Sequence, residues 1–435
     1  MPFPPSLPRL PLVPDPLRRI RVPDDLEAVT TIAGEEDPGA GGMTRDQVDA
    51  IWGSVVDLYR TGIHPAAQLC LRRNGHVLID RAIGHARGNG PGDPSEAEKV
   101  LATTETPFCI FSASKAVTAT VVHLLDERGA LHIGDRVADY IPEYGTHGKD
   151  VITIAQVLSH RAAVPSLPAT AIDLENVADR QAVLEALCQA KPLIRPGKLL
   201  AYHALSGGFI LGEIVHRVTG QSIRDVLESE ILRPLGFRWM NYGVEPDDIP
   251  RVGLNYVTGP PLPPPLSTLV KRVLVRPLDE VVEISNQAPF LTVVIPAGNV
   301  ITSANELSRF FELLRRGGEL DGMRVLEERT MRRALAEQSY LDIDFSLGFP
   351  TRFSLGFMLG AKLLSLFGRD TEMAFGHLGL INMMGWADPE RGLSAALITS
   401  GKAIIYPELP RFYAVMQGIA SQTPKLEAAD IPFRP

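Results

Sequence analysis

Ser112 and Lys115 stand three positions apart, where the apolar run Thr106-Pro107-Phe108-Cys109-Ile110-Phe111 gives way to helical spacing. On one helical turn their Cβ atoms lie roughly 5–6 Å apart, so a hydroxyl and an amine can share a proton. A free Ser is a weak nucleophile, and a free Lys, with a pKa of about 10.4, holds its proton at neutral pH. Burial in a cleft disfavours the ammonium, and a neutral Lys can then accept the Ser proton. Ser112 also sits where the helix begins, so unpaired N–H groups and the positive dipole end can stabilise an oxyanion beside it. Ser114, adjacent to Lys115, points elsewhere. Common residue types meet at this interval by chance in most large proteins, so the rest of the chain must decide between a catalytic pair and a solvated helix face.

At 435 residues the chain suggests two domains, or one large core with an insertion. With 45% hydrophobic and 22% charged residues it can bury a sizeable core. A net charge of -8, from 43 Lys+Arg against 51 Asp+Glu, and the lack of a basic stripe argue against a nucleic-acid partner. Cys70, Cys109 and Cys188 form neither a CxxC nor a zinc spacing, and an odd count makes a poor disulfide framework. A reducing, cytoplasmic setting is expected, with Cys109 a small buried hydrophobe. The 10 His are scattered without an HExxH pair, so neither metal nor cofactor is expected. The amino terminus, MPFPPSLPRLPLVPDPL, is punctured by Pro, which excludes a signal-peptide core and a membrane helix and leaves an extended surface arm. No run of 18 apolar residues occurs, so nothing is expected to span a bilayer.

The elements that must position Ser112 follow from periodicity. Thr44 and Gln47 form a capping box before a helix whose apolar residues include Val48, Ile51, Val55 and Tyr59. Two strands flank Asn74-Gly75, a strong hairpin signal. The Ser112 helix buries a stripe of Ala113, Ala116, Val117 and Val121 and stops at Gly129. From 130 to 240 the pattern is mostly helical, with starts at Thr153 and Ser222 and a helix from Gly207 to Val218 stopped by Gly220. In the Pro-rich stretch 255–280, Leu266, Leu269, Val270, Val273 and Leu274 keep helical spacing opposite Lys271 and Arg272 until Pro277. That segment reads first as a helix docked on its own protein. Its second reading is a lid or membrane-surface contact admitting lipophilic substrates, which leaves peripheral membrane or cell-envelope association open. Strands return at Phe353–Phe357, Gly385–Ala387 and Leu393–Ile398, and a final helix covers about Leu409 to Ala420. The fold class expected is α+β: an antiparallel sheet from early and late segments, flanked by N- and C-terminal helices, with a mostly helical insertion. The boundaries are an arm over 1–43, a sheet domain over 44–107 and 290–425, and a helical domain over 108–289.

Three ordered motifs now carry a resemblance. Ser112-Ala113-Ser114-Lys115 is similar to the S-x-x-K of serine β-lactamases and penicillin-binding proteins. Tyr202-His203-Ala204 resembles the Y-x-N or Y-x-S element, and His377-Leu378-Gly379 the H-x-G form found in the class C β-lactamase-like esterase branch. The likeness spans roughly 44–420, and supporting stretches such as Leu158-Ser159-His160-Arg161 and Pro296-Ala297-Gly298-Asn299 keep the order. It implies the β-lactamase-like fold, a nucleophilic Ser112, and Lys115 with Tyr202 as the proton-transfer pair. A phenol near Lys⁺ can have a lowered pKa and serve as base, and which of the two begins as base stays open. The oxyanion hole implied is the Ser112 N–H with one near Leu380, beside Gly379, and His377 would line the pocket.

Departures from the pattern bear on substrate. His377, with an ordinary pKa of about 6.5, is a weaker carboxylate anchor than the family's Lys, and Ala204 lacks the side-chain polar group that holds an acylamino chain. The function expected is therefore a serine carboxylesterase acting on short or medium acyl esters, a small-molecule substrate. A β-lactamase, D-amino-acid peptidase or acyltransferase on the same site is the first alternative, and a non-catalytic scaffold the second. Leu359, Leu363, Leu364 and Phe367 could shape an acyl pocket, although the three Leu positions read first as core. His160 and His203 read as structural, Ser206 lacks the G-x-S-x-G elbow, and Ser400-Gly401-Lys402 reads as a turn. The oligomeric state is not legible.

Overall fold

Strands from both ends of the chain interleave in one antiparallel sheet. A computed structural model describes residues 15–167, 176–405 and 409–434. Its ten-stranded sheet runs in the order Thr30–Ile32, His76–Arg87, Ala66–Arg73, Leu393–Thr399, Met383–Asp388, Phe375–Gly379, Met358–Leu359, Pro350–Phe353 and Ser339–Ile343, with Val100–Leu101 paired to the second of these. The central strands are buried on both faces because helices cover both. On one face Arg45–Arg60 packs against Leu409–Gln422, joining Val48, Ile51 and Val55 to Val415, Met416 and Ile419 over Leu69, Trp386 and Leu397. On the other, Ala304–Arg315 lays Leu307, Phe310 and Phe311 over the strands.

Local signals act as their chemistry predicts. Thr44 and Gln47 cap each other's backbone, and Asn74 and Gly75 turn the hairpin with φ of 52° and 90°. Thr153 with Gln156 and Ser222 with Asp225 begin their helices, and Gly220, at φ 73°, ends Ser206–Thr219. Two expectations are corrected. Residues 1–14 of the expected arm lie outside the described residues, but from Asp15 the chain is built into the fold: Ile20 and Met43 are buried, and Thr30–Ile32 pairs with Arg81–Ile83. The expected strand Phe353–Phe357 is divided, because Gly356 at φ 107° lets Ser354–Phe357 turn between two short strands.

The helical insertion meets the sheet through a second, three-stranded sheet of Phe108–Cys109, Val300–Thr302 and Asn241–Tyr242. Its first strand leads into the Ser112 turn, so that turn is gripped from both sides. Among the described residues no helix is long and apolar enough to cross a membrane.

Candidate active site

Ser112 lies in a single 3₁₀ turn, Phe111–Ala113, at the mouth of the helix Ser114–Glu127. Ala116, Val117 and Val121 are fully buried, which fixes that helix in the core as the apolar stripe required. Phe111 takes a left-handed φ of 46°, a conformation costing an L-residue roughly 1–2 kcal/mol. Surrounding contacts hold it: the Ser114 hydroxyl donates to the Phe111 carbonyl (2.5 Å) and accepts the Val300 N–H (3.0 Å), and Ile110 N–H donates to the Val300 carbonyl (2.9 Å). Ser114 is thus committed to the backbone, and Ser112 is left to face the cavity.

Lys115 reaches the Ser112 hydroxyl at 3.2 Å and the carbonyls of Ala204 and Ala297 at 2.7 and 3.1 Å. No carboxylate hydrogen-bonds or ion-pairs with this amine among the described residues, and its removal from water pulls the pKa from 10.5 to about 7. The carbonyls have a directional consequence. A neutral amine has two N–H donors and one lone pair; with both donors committed to carbonyls, the lone pair is left for the Ser112 hydroxyl.

Tyr202 completes the group. Its hydroxyl hydrogen-bonds with Ser112, and the Lys115 amine lies 4.8 Å from its ring centroid. The expectation of a lowered phenol pKa is not met: burial pushes the phenol well above 10, outweighing the Ser112 hydrogen bond. Tyr202 keeps its proton where Lys115 gives one up. A residue the sequence reading missed sets the tyrosine's backbone: one oxygen of buried Asp344 accepts the N–H groups of Tyr202 (3.1 Å), Ser346 (2.8 Å) and Leu347 (2.9 Å). An Asp binding N–H groups two and three positions on is an Asx turn, and that was the available signal.

Gly379 lies where the strand Phe375–Gly379 crosses the Ser112 turn. A Cβ there would fall 2.0 Å from the Ile110 carbonyl oxygen, so only glycine permits the approach. Leu380, next along, lines the same cavity as Ser112. His377 does not. It is buried, donates Nδ1–H to the Leu378 carbonyl (2.8 Å), and packs 6.3 Å from the Tyr202 ring, with burial holding its pKa down to about 3. His160 and His203 each accept a backbone N–H, from His203 and Val164 respectively, and burial keeps both uncharged at neutral pH. Around Ser112, burial thus favours the uncharged forms of Lys115, Tyr202 and the three histidines.

The cavity over Ser112 has a volume of about 100 Å³ and is walled by Leu205, Leu274, Val281, Ile284, Phe290 and Ile295, among others. The acyl-pocket reading of Leu359, Leu363, Leu364 and Phe367 is corrected, and so is the core reading of Leu363 and Leu364. Leu363 and Leu364 are 65% and 72% exposed, Phe367 is core, and Leu359, Leu363 and Leu364 line a separate surface hollow. Hydrophobicity alone does not say which apolar segment folds over Ser112. That place is taken by the end of the amphipathic helix Leu266–Leu274, docked as its spacing allowed, with Leu269 against Gly348 and Arg272 over the Phe345 ring at 4.5 Å.

Residues 55–414 match the family described as Beta-lactamase. The chain belongs to the beta-lactamase family. Within curated members of that kind, it is 31% identical over 303 residues to the "Esterase/beta-lactamase LipL" of Mycobacterium tuberculosis, covering 66% of this chain and 68% of the relative. Among solved structures, it resembles a penicillin-binding protein homologue from Caulobacter crescentus at 26% identity and TM-score 0.73, covering 88% of this chain and 99% of that one. A family VIII carboxylesterase at 24% identity and TM-score 0.72, covering 86% and 98%, shares the fold. The β-lactamase-like fold, with its large antiparallel sheet and flanking helices, is thereby established for this chain.

Proposed function

We propose that this beta-lactamase-family chain is a serine carboxylesterase that cleaves short or medium acyl esters through an acyl-Ser112 intermediate. One observation carries the reading: a buried, uncharged-leaning Lys115 whose two carbonyl partners leave its lone pair for Ser112. Lys115 takes the Ser112 proton as the oxygen bonds to the ester carbonyl carbon. The carbonyl oxygen gains the negative charge and is met by N–H donors at Ser112 and near Leu380. Collapse expels the alkoxide, which receives the proton from Lys115 through the Tyr202 hydroxyl. Water then attacks the acyl carbon while Lys115 accepts its proton, and the departing Ser112 oxygen takes that proton back.

The apolar cavity favours acyl chains, and the relative named an esterase/beta-lactamase supports ester cleavage on this scaffold. Two polar features that would favour β-lactams or peptides are missing: His377 is neutral and turned to a backbone carbonyl, and Ala204 offers only a methyl side chain. The test is intact mass after treatment with a fluorophosphonate, with Ser112→Ala as control. One adduct on the wild type alone is expected; equal labelling of both proteins would remove Ser112 from its role. Side-by-side turnover of a nitrophenyl ester and a chromogenic cephalosporin decides the substrate, and preference for the cephalosporin would overturn the ester assignment.

A further inference from the structure

Among the described residues that line the Ser112 cavity, Arg276 is the one charged side chain. It stands directly after Val275, a β-branched residue held at φ 67°, where only glycine is at ease. That turn ends the amphipathic helix and lets Leu274 and Arg276 both reach the cavity wall. Backbone strain of this kind persists where its surroundings impose it, and it gathers at ligand clamps. The guanidinium is under-used. Its ion-pair partner among the described residues is Glu280, one turn away at 3.5 Å and half exposed, and its buried Nε–H meets no hydrogen-bond acceptor among them. A guanidinium with its Nε–H unclaimed, beside a mostly apolar cavity, matches a carboxylate in charge and donor chemistry.

We infer that Arg276 is a specificity-determining residue that selects esters bearing a carboxylate in addition to the scissile group. The inference rests on the esterase reading above and deepens it: the apolar walls take the chain, and Arg276 takes its charged end. The position differs from that of His377, which packs against Tyr202, so the anion would be read from the turn after the helix Leu266–Leu274 and not from the sheet strand.

The experiment compares matched esters by pH-stat, each rate divided by that of hydroxide-catalysed hydrolysis. One pair carries the charge on the acyl side: p-nitrophenyl pentanoate and p-nitrophenyl hydrogen glutarate. The other carries it on the alcohol side: the butyrate esters of phenol and of 3-hydroxybenzoate. In at least one pair the wild type is expected to favour the carboxylated ester in kcat/KM by about tenfold or more, the range of a charged hydrogen bond. That ratio should fall to about one in Arg276→Gln, reverse in Arg276→Glu, and shrink in 1 M salt. Because each ratio is measured within one protein, loss of folded material does not imitate the effect. A wild-type ratio of one or less in both pairs, or a ratio unchanged in Arg276→Gln, overturns the inference while the esterase reading stands. Turnover of no ester in either pair overturns both.

Discussion

Acidification is expected to silence catalysis by protonating one side chain, Lys115. Burial moves its pKa from 10.5 to about 7, a displacement worth roughly 5 kcal/mol in favour of the neutral amine. If the neutral amine is the base, kcat/KM follows its fraction and falls about tenfold per pH unit below the midpoint. Between pH 7 and pH 5 the loss is about fiftyfold. The Tyr202 phenol is displaced upward and keeps its proton over this range, so it contributes no acid limb. Tyr202→Phe should therefore lower the rate while leaving the midpoint near 7. Nitrophenyl ester turnover from pH 5 to pH 9, read at a pH-independent wavelength, measures both profiles. A wild-type profile flat down to pH 5, or a limb that moves by more than a unit in Tyr202→Phe, would refute the assignment of Lys115. Stability supplies a second reading of the same shift. Below about pH 7 both states hold the proton and the folded state bears the full cost of a buried ammonium. As pH rises towards 10.5 the folded state sheds the proton first, and the cost is relieved. The stability advantage of Lys115→Met over wild type should thus be largest near or below pH 7 and shrink towards pH 10.5.

Two further perturbations test the scaffold around that amine. Asp344→Ala strips the acceptor from three backbone N–H groups, one of them that of Tyr202, and should cost roughly 2–3 kcal/mol in denaturant melts together with at least a tenfold loss of kcat; wild-type stability and rate would dismiss its positioning role. Gly379→Ala drives a methyl group to within 2.0 Å of the Ile110 carbonyl oxygen, and should cost about 1–3 kcal/mol or displace the Ser112 turn, read as a lower melting point or slower fluorophosphonate labelling.

The parts of this site that local chemistry dictates were legible beforehand. One helical turn is enough to bring Ser112 and Lys115 together, and capping boxes, the Asn74-Gly75 hairpin and Gly220 mark their own boundaries. Tyr202 was legible through motif order, because no periodicity brings a residue so far downstream to Ser112. What stayed hidden depends on long-range burial. The phenol shift has the sign opposite to that expected because desolvation outweighs its hydrogen bond to Ser112. Leu363 and Leu364, read first as core and second as an acyl pocket, are exposed on a segment away from Ser112; Leu274 and Phe290 occupy the cavity wall, and nothing in their spacing announces it. Asp344 acts on Tyr202 across 142 positions.

The interleaved sheet also governs how the chain must mature. Ala66 pairs with Ser400, 334 positions later, and the strand Ala66–Arg73 completes its ladder on one side only when Leu393–Thr399 arrives. During synthesis the first hairpin therefore leaves the ribosome with an apolar face and an open edge, and stays so until nearly the whole polypeptide has followed. Closure of such distant partners is slow, and intermediates with unpaired edges are prone to aggregate.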